Sequence, residues 1–261
     1  MSVLRPALVL SALWAYSLPV HAIPLAPQIA GTFVDGDGAN SLWMQVTDDW
    51  RGTLQGDQSW GTGIWGLADQ ALVMNLPADD PAVLHTLSTR VAEINFGDQR
   101  FIDNWGATWG SPSLAPIFDN HAGEPQDNWA SRFWGYVAVT MPGYYNFSVL
   151  YDDGFRFSLL GADSASLSIA ADGLNARDRM GFAEDLFLGT GLYGFQLDAY
   201  ERLEAGVVQL AWQTPGSSDW RGGPPTGTGG RAPPNCQGSC MKCTISRREK
   251  PSSPTSPAAT M

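Results

Sequence analysis

The chain has 261 residues, 44% of them hydrophobic and 16% charged, with 29 glycines and 11 tryptophans. Its formal net charge of −11 excludes nucleic acid as a partner, because phosphate binding needs clustered Lys and Arg, and excludes an electrostatic grip on anionic lipid. Low charge with abundant glycine and a real apolar share points to a turn-rich all-β domain with extensions. Residues 1–22 read as a secretory leader. Arg5 gives a positive start, the run to Val20 is apolar but short for a membrane span, and Val20-His21-Ala22 offers a small-residue cleavage site. The mature protein is therefore expected to be secreted or held at the cell surface, without a transmembrane segment.

Residues 23–90 read as an N-terminal extension of strands and loops with one short helix, its part from Ile23 to Pro77 either supplying the sandwich's first strands or standing as a small extension. Asp35-Gly36-Asp37-Gly38 begins like an EF-hand loop, but Asn40 stands at its sixth position and Val46 at its twelfth, so it reads as a Gly/Asp turn. Ser41 to Val46 alternate like a strand. Asp80-Pro81 suggests a helix start with proline in the first turn, and Val83, Leu84, Leu87 and Val91 then share one helical face. Ala92 to Phe96 reads as extended. Asn104 to Asn128 reads as a long irregular loop, the kind that often carries function. Trp105 and Trp109 lie in it, either as a stacking platform for a ligand or as core. Trp129, Trp134 and Trp212 read as core.

Arg132 to Trp212 carries most of the strands, interrupted by a polar insertion over 162–184. Tyr145, Phe147, Val149 and Tyr151 share one parity, and after the break Phe155, Phe157 and Leu159 do the same, as expected of a sheet with one buried face. Asp152-Asp153-Gly154 separates the two runs. It is either the tip of a hairpin, where Asp-Gly is favoured, or a sharp break between strands. In an ordinary strand, neighbouring side chains point to opposite faces. Two adjacent aspartates converge on one ion only across a cis peptide, and calcium, a hard cation wanting six to eight oxygens, is the natural occupant.

Five segments, in order, resemble the protective-antigen-type (PA-fourteen) domain, a β-sandwich of toxins, glycosidases and flocculin-type adhesins. They are Arg132-Phe133-Trp134-Gly135-Tyr136-Val137, Pro142-Gly143-Tyr144-Tyr145-Asn146-Phe147, Asp152-Asp153-Gly154-Phe155-Arg156-Phe157, Gly191-Leu192-Tyr193-Gly194-Phe195-Gln196-Leu197 and Val207-Val208-Gln209-Leu210-Ala211-Trp212. The resemblance runs from about Val91 to Trp212, nearly half of the chain. It implies an antiparallel sandwich over 91–215 that binds a glycan or polysaccharide with calcium on Asp152 and Asp153. Lectin members add an asparagine from the loop between the last two strands. This chain has Arg202 there, which cannot ligate a cation, and Glu201 or Glu204 stands in as the substitute. Gly154 completes the expected site, with Trp105 and Trp109 as aromatic contacts.

After Pro215 the composition changes. The region 216–261 is Gly-, Pro- and Ser-rich and basic, with too few apolar residues for a core, and reads as disordered. Its Cys236, Cys240 and Cys243 have the spacing of an iron–sulfur loop but not the setting, and three thiols fall short of a structural zinc set. The chain contains neither a nucleophile elbow nor a His-Glu-x-x-His helix. Asp178, Glu184 and Asp185 are candidate paired carboxylates for glycoside hydrolysis. The reading is a non-enzymatic carbohydrate-binding module. The alternatives are a surface structural or assembly protein of the same fold that binds no sugar, and an uncharacterised glycoside hydrolase.

Overall fold

The structure, a computed structural model, describes residues 24–32, 38–53, 61–175 and 179–221. The leader, residues 35–37 of the Gly/Asp turn, Asp178 and the cysteine-bearing tail lie outside the described residues. The elements in chain order are β1 (Ile29–Ala30), β2 (Ala39–Val46), α1 (Leu67–Val73), β3 (Val83–Val91), β4 (Asn95–Gly97) and α2 (Gln99–Phe101), which runs on into a π-helical turn (Ile102–Gly106). Then come β5 (Ser113–Leu114), a 3-10 turn (Pro116–Phe118), β6 (Trp129–Val139), β7 (Gly143–Asp152), β8 (Gly154–Leu160), a second 3-10 turn (Ala162–Ser164), β9 (Ser166–Ala171), β10 (Arg179–Leu188), β11 (Gly191–Glu201), β12 (Val207–Gln213) and β13 (Trp220–Arg221).

These strands form two facing sheets. The first has the order β3-β2-β6-β11-β8-β9, with β1 also on β11; the second has the order β10-β7-β12-β4-β5, with β13 also on β12. The strand pairs are antiparallel except β4 with β5. The inward parity is the one the alternation predicts: Tyr145, Phe147, Val149 and Tyr151 of β7 meet Phe155, Phe157 and Leu159 of β8 in the main core, with Trp43, Phe133, Tyr193, Phe195 and Leu210. Each fully buried side chain of this size contributes about 1.5–3 kcal/mol. Two smaller clusters cover outer faces. Helix α1 lays Leu67 and Val73 over Met44, Val46, Ala130 and Tyr200 of the first sheet. Phe101 and Trp109 cover Leu150 and Val207 of the second. Among the described residues no helix is long and apolar enough to cross a membrane.

The structure corrects the sequence reading in four places. Residues 83–91 are a strand, not a helix: they alternate half-buried and exposed, Leu84 points outward at 49% exposure, and Leu87 pairs opposite Trp43. The β-branched Val83, Thr86, Thr89 and Val91 suit the pleat that β2 offers. The segment 23–90 is therefore no separate extension, since β2 and β3 belong to the first sheet. The insertion over 162–184 contains β9 and half of β10. At the other end, β13 pairs with β12, and Trp220 packs against Phe182 at 5.9 Å, so the fold continues past residue 215.

Candidate functional site

Two of the chain's crossings between the sheets adjoin at one end of the sandwich. From β7 to β8 it crosses through Asp153 alone, and from β11 to β12 it crosses through residues 202–206. The crossings lie side by side, because Gly154 pairs with Tyr200 and Asp152 with Val207. The Asp153 N–H donates to the Tyr200 carbonyl at 2.8 Å. The Asp-Asp-Gly step is thus a break between strands rather than a hairpin tip, and the Asp152–Asp153 peptide is cis. Gly154 is required by a close approach: a Cβ there would run into the Tyr200 ring. That ring is itself anchored, its hydroxyl donating to the Gly173 carbonyl at 2.6 Å. Gly154→Ala is expected to cost about 1–3 kcal/mol by overpacking, read as a lower denaturation midpoint; an unchanged midpoint would show that the ring yields.

Asp152 and Asp153 are each 7% exposed. Asp153 ties its own crossing to the β11–β12 loop and to the segment after β9. Its Oδ2 accepts from the Arg202 N–H at 2.9 Å and its Oδ1 from the Asn175 N–H at 3.2 Å. Burial nevertheless pushes its carboxyl up to about 6, against these two N–H groups, the Arg202 charge and a hydrogen bond with Asp152.

Glu201, the last residue of β11, has no exposed surface, and neither carboxylate oxygen has a hydrogen-bond partner. It pairs in register with Trp129, whose indole N–H is also unpartnered. Gly206 makes the space: a Cβ there would meet the Glu201 side chain and the Trp129 ring. Burial raises Glu201 well above the ordinary carboxylate range, and Asp98, Asp153, Asp127 and Asp152 raise it further. Asp98 caps α2 through the Phe101 N–H at 2.7 Å and accepts from the Gly206 N–H; burial pushes it up to about 7. Asp127, also raised by burial, accepts from the Glu204 N–H at 3.1 Å. Five carboxyl groups therefore surround one end of the sandwich.

Arg202 is 2% exposed and is held on the flank. Its Nε donates to the Thr62 carbonyl at 3.0 Å, and its guanidinium lies 4.2 Å from the centre of the Trp65 ring. Its main chain serves the aspartates while its side chain serves the 61–65 segment.

The structure places Asp152, Asp153, Gly154 and Glu201 at the same end of the sandwich, though among the described residues no three of the crossover carboxylates bring ligand atoms within 4.8 Å of one another. Glu204 is exposed in the same loop, reaching a cleft of about 680 Å³ lined with Asp98, Gln99, Arg100, Gln126 and Asp127. The tryptophan platform is corrected. Trp109 is 8% exposed within the cluster over Leu150, and Trp105 is half-buried against Phe101 at 6.2 Å, because the outer face of the second sheet needs an apolar cover. Trp134, expected in the core, is 38% exposed on the outward parity of β6. Glu184 and Asp185 sit exposed at a bulge of β10, where the Asp185 N–H donates to Asn146 Oδ1 at 2.7 Å. Asp98 and Asp127 escape sequence reasoning, although Asp98 has one signal, its capping position before Phe101.

No family model and no curated protein sequence matches the chain. Solved structures similar to it include the anti-sigma factor domain-containing protein from Clostridium clariflavum, with 18% identity, 88% of this chain and 53% of that one covered, and a TM-score of 0.43. The PA14 sugar-binding domain from RTX adhesin shares 14% identity over 72% of this chain and 96% of that one, with a TM-score of 0.41. The Epithelial Adhesin 9 A domain from Candida glabrata, in complex with Galb1-4GlcNAc, shares 11% identity over 76% and 91%, with a TM-score of 0.45. This chain spans about half the length of the first of these.

Proposed function

We propose that the chain is a non-catalytic, exported carbohydrate-binding module, lectin-like or adhesin-like, whose crossover end holds calcium. One observation carries the reading: the Glu201 carboxylate is fully buried and unpartnered, with Asp98, Asp127, Asp152 and Asp153 around it. A buried charge without a partner costs several kcal/mol. An all-oxygen set of this kind is the chemistry that a hard dication satisfies. Asp152 and Asp153 would hold the ion, with Glu201 as the carboxylate that replaces the missing asparagine. When bound, calcium offers coordination positions to paired sugar hydroxyls. The cleft beside it supplies the amides of Gln99 and Gln126, the Arg100 guanidinium and the Glu204 carboxylate for further hydroxyls. Leu203, 42% exposed in the same loop, supplies the apolar contact that the buried tryptophans do not. The five strand segments that resemble the PA-fourteen domain, whose lectin members bind sugars, support the ligand class. The test is a glycan array in calcium and in chelator, with wild type and Asp152→Asn. Calcium-dependent binding lost in the variant is the expected result; identical signal in both conditions would refute it.

A second reading, a structural surface module that binds no sugar, is favoured by the two backbone N–H bonds to Asp153, which tie the β7–β8 crossing to the β11–β12 loop through Arg202 and to the segment after β9 through Asn175 without any ligand. A blank array together with stabilisation by calcium would select it. No turnover of glycosides is expected under either reading.

A further inference from the structure

A second cluster of donor atoms lies apart from the crossover carboxylates. His85 is on β3, the edge strand of the first sheet. His121 and Glu124 come from the segment after the 3-10 turn and form the two ends of a tight turn, in which the Glu124 N–H donates to the His121 carbonyl at 3.1 Å. Gly123 takes φ +84 in that turn, with nothing near its Cα side, a conformation that glycine adopts without cost. The turn thus sets both side chains on one side, facing His85. His85 Nε2 lies 2.9 Å from Glu124 Oε2, and His121 Nδ1 lies 3.4 Å from Glu124 Oε1. The two imidazoles stack with centroids 3.5 Å apart and planes at 26°. One ligand atom from each of the three residues falls within 4.8 Å of the others.

We propose that His85, His121 and Glu124 form a binding site for a divalent transition-metal ion, zinc foremost. Zinc takes imidazole nitrogen at about 2.0–2.1 Å and carboxylate oxygen at about 2.0–2.2 Å, so ligand atoms of a tetrahedral site stand ~3.4 Å apart. The separations of 2.9 and 3.4 Å are close to that spacing, one to each oxygen of Glu124, and rotation of the stacked imidazoles, whose planes stand 26° apart, would turn both ring nitrogens onto one ion. Two imidazoles with one carboxylate favour zinc, copper or nickel over calcium or magnesium. With three protein ligands a fourth position stays open, and side-chain exposures of 20%, 30% and 53% leave it accessible from solvent. The scaffold is built. Gln45, opposite His85 in the ladder, donates through Nε2 to the carbonyls of Pro125 and Asp127, both at 2.9 Å, and so fixes the strap that carries Glu124 against the sheet. Glu124 also lines the cleft next to Gln126 and Asp127. A bound ion would staple that strap to β3 at the rim of the cleft.

The test uses the full chain with Cys236, Cys240 and Cys243 changed to serine, so that tail thiols take up no metal. After chelator treatment and desalting, zinc binding is measured by calorimetry and by competition with a chromogenic zinc indicator, in excess calcium. One zinc per chain is expected, undisplaced by calcium. His85→Ala, His121→Ala and Glu124→Ala should each weaken it at least tenfold while leaving the metal-free melting temperature close to that of the parent. Cobalt in place of zinc should give visible ligand-field absorption that His85→Ala removes. Absence of binding, or affinity unchanged in both histidine variants, overturns the proposal. Asp152→Asn should leave zinc binding intact, so the outcome is independent of the calcium site.

Discussion

Adding calcium to the chelator-treated protein is expected to raise its melting temperature by roughly 5–10 °C. An ion that binds only the native state adds about 2.7 kcal/mol at a hundredfold excess over its Kd. For a domain of this size each kcal/mol moves the midpoint by about 2–4 °C. Magnesium should do much less, since it demands near-octahedral geometry and gives up water reluctantly. Asp152→Asn and Asp153→Asn should each abolish the calcium-dependent shift. Asp153→Asn should also melt lower in chelator, because Asp153 accepts the main-chain N–H groups of Asn175 and Arg202, and an amide has only one oxygen with which to do so. Scanning calorimetry of the three proteins in calcium and in chelator measures both effects. A wild type that melts identically in the two conditions rules out the calcium site.

The parts of the fold that follow from local alternation were legible. The inward residues of β7 and β8 could be read from parity alone, because one buried face imposes period two. The break at Asp152-Asp153-Gly154 was legible as an interruption, but its topological role was not. Whether an Asp-Gly step reverses a strand or carries it to the opposite sheet depends on which strands flank β7 and β8, and those are β10 and β12 for β7 and β9 and β11 for β8, all later in the chain. β3 was misread for a related reason. Val83, Leu84, Leu87 and Val91 fit a helical face as well as a strand, and only the pairing with β2 decides between them.

The site was legible to the extent that it rests on consecutive residues. Asp152, Asp153, Glu201 and Arg202 could be named, whereas Asp98 and Asp127 could not, since nothing local marks an acid that will lie beside a crossover from a distant strand. The opposite error fell on Trp105 and Trp109. A glycine-rich loop leaves a tryptophan equally suited to solvent or to core. Here the outward residues of the second sheet, Leu150 and Val207, attract them. The metal-type cluster was hidden for the same reason, with His85 on an edge strand and His121 and Glu124 on a turn some 36 residues later, brought within 2.9 Å only by the strap that Gln45 holds.

Glu201→Gln is expected to change stability in opposite directions with and without calcium. In chelator the wild type carries a carboxylate with no exposed surface and no hydrogen-bond partner, surrounded by four other acids. The amide has nearly the same shape and never ionises, so the variant should gain about 1–3 kcal/mol by removing the cost of holding a buried acid protonated above its ordinary range. That corresponds to a midpoint roughly 2–12 °C higher. In saturating calcium the order should reverse. The variant lacks one charged ligand, so its calcium-dependent gain should fall to a small fraction of the wild-type shift. Gly206→Ala offers an independent check. A Cβ at that position meets the Glu201 side chain and Trp129, so it should displace the carboxylate and weaken calcium binding even though every acid is retained. The crossing of the two melting curves is what separates a ligand from a structural acid. If Glu201→Gln is less stable than wild type in both calcium and chelator, the carboxylate is serving the fold itself, and calcium at this end of the sandwich would have to be held by Asp152 and Asp153 without it.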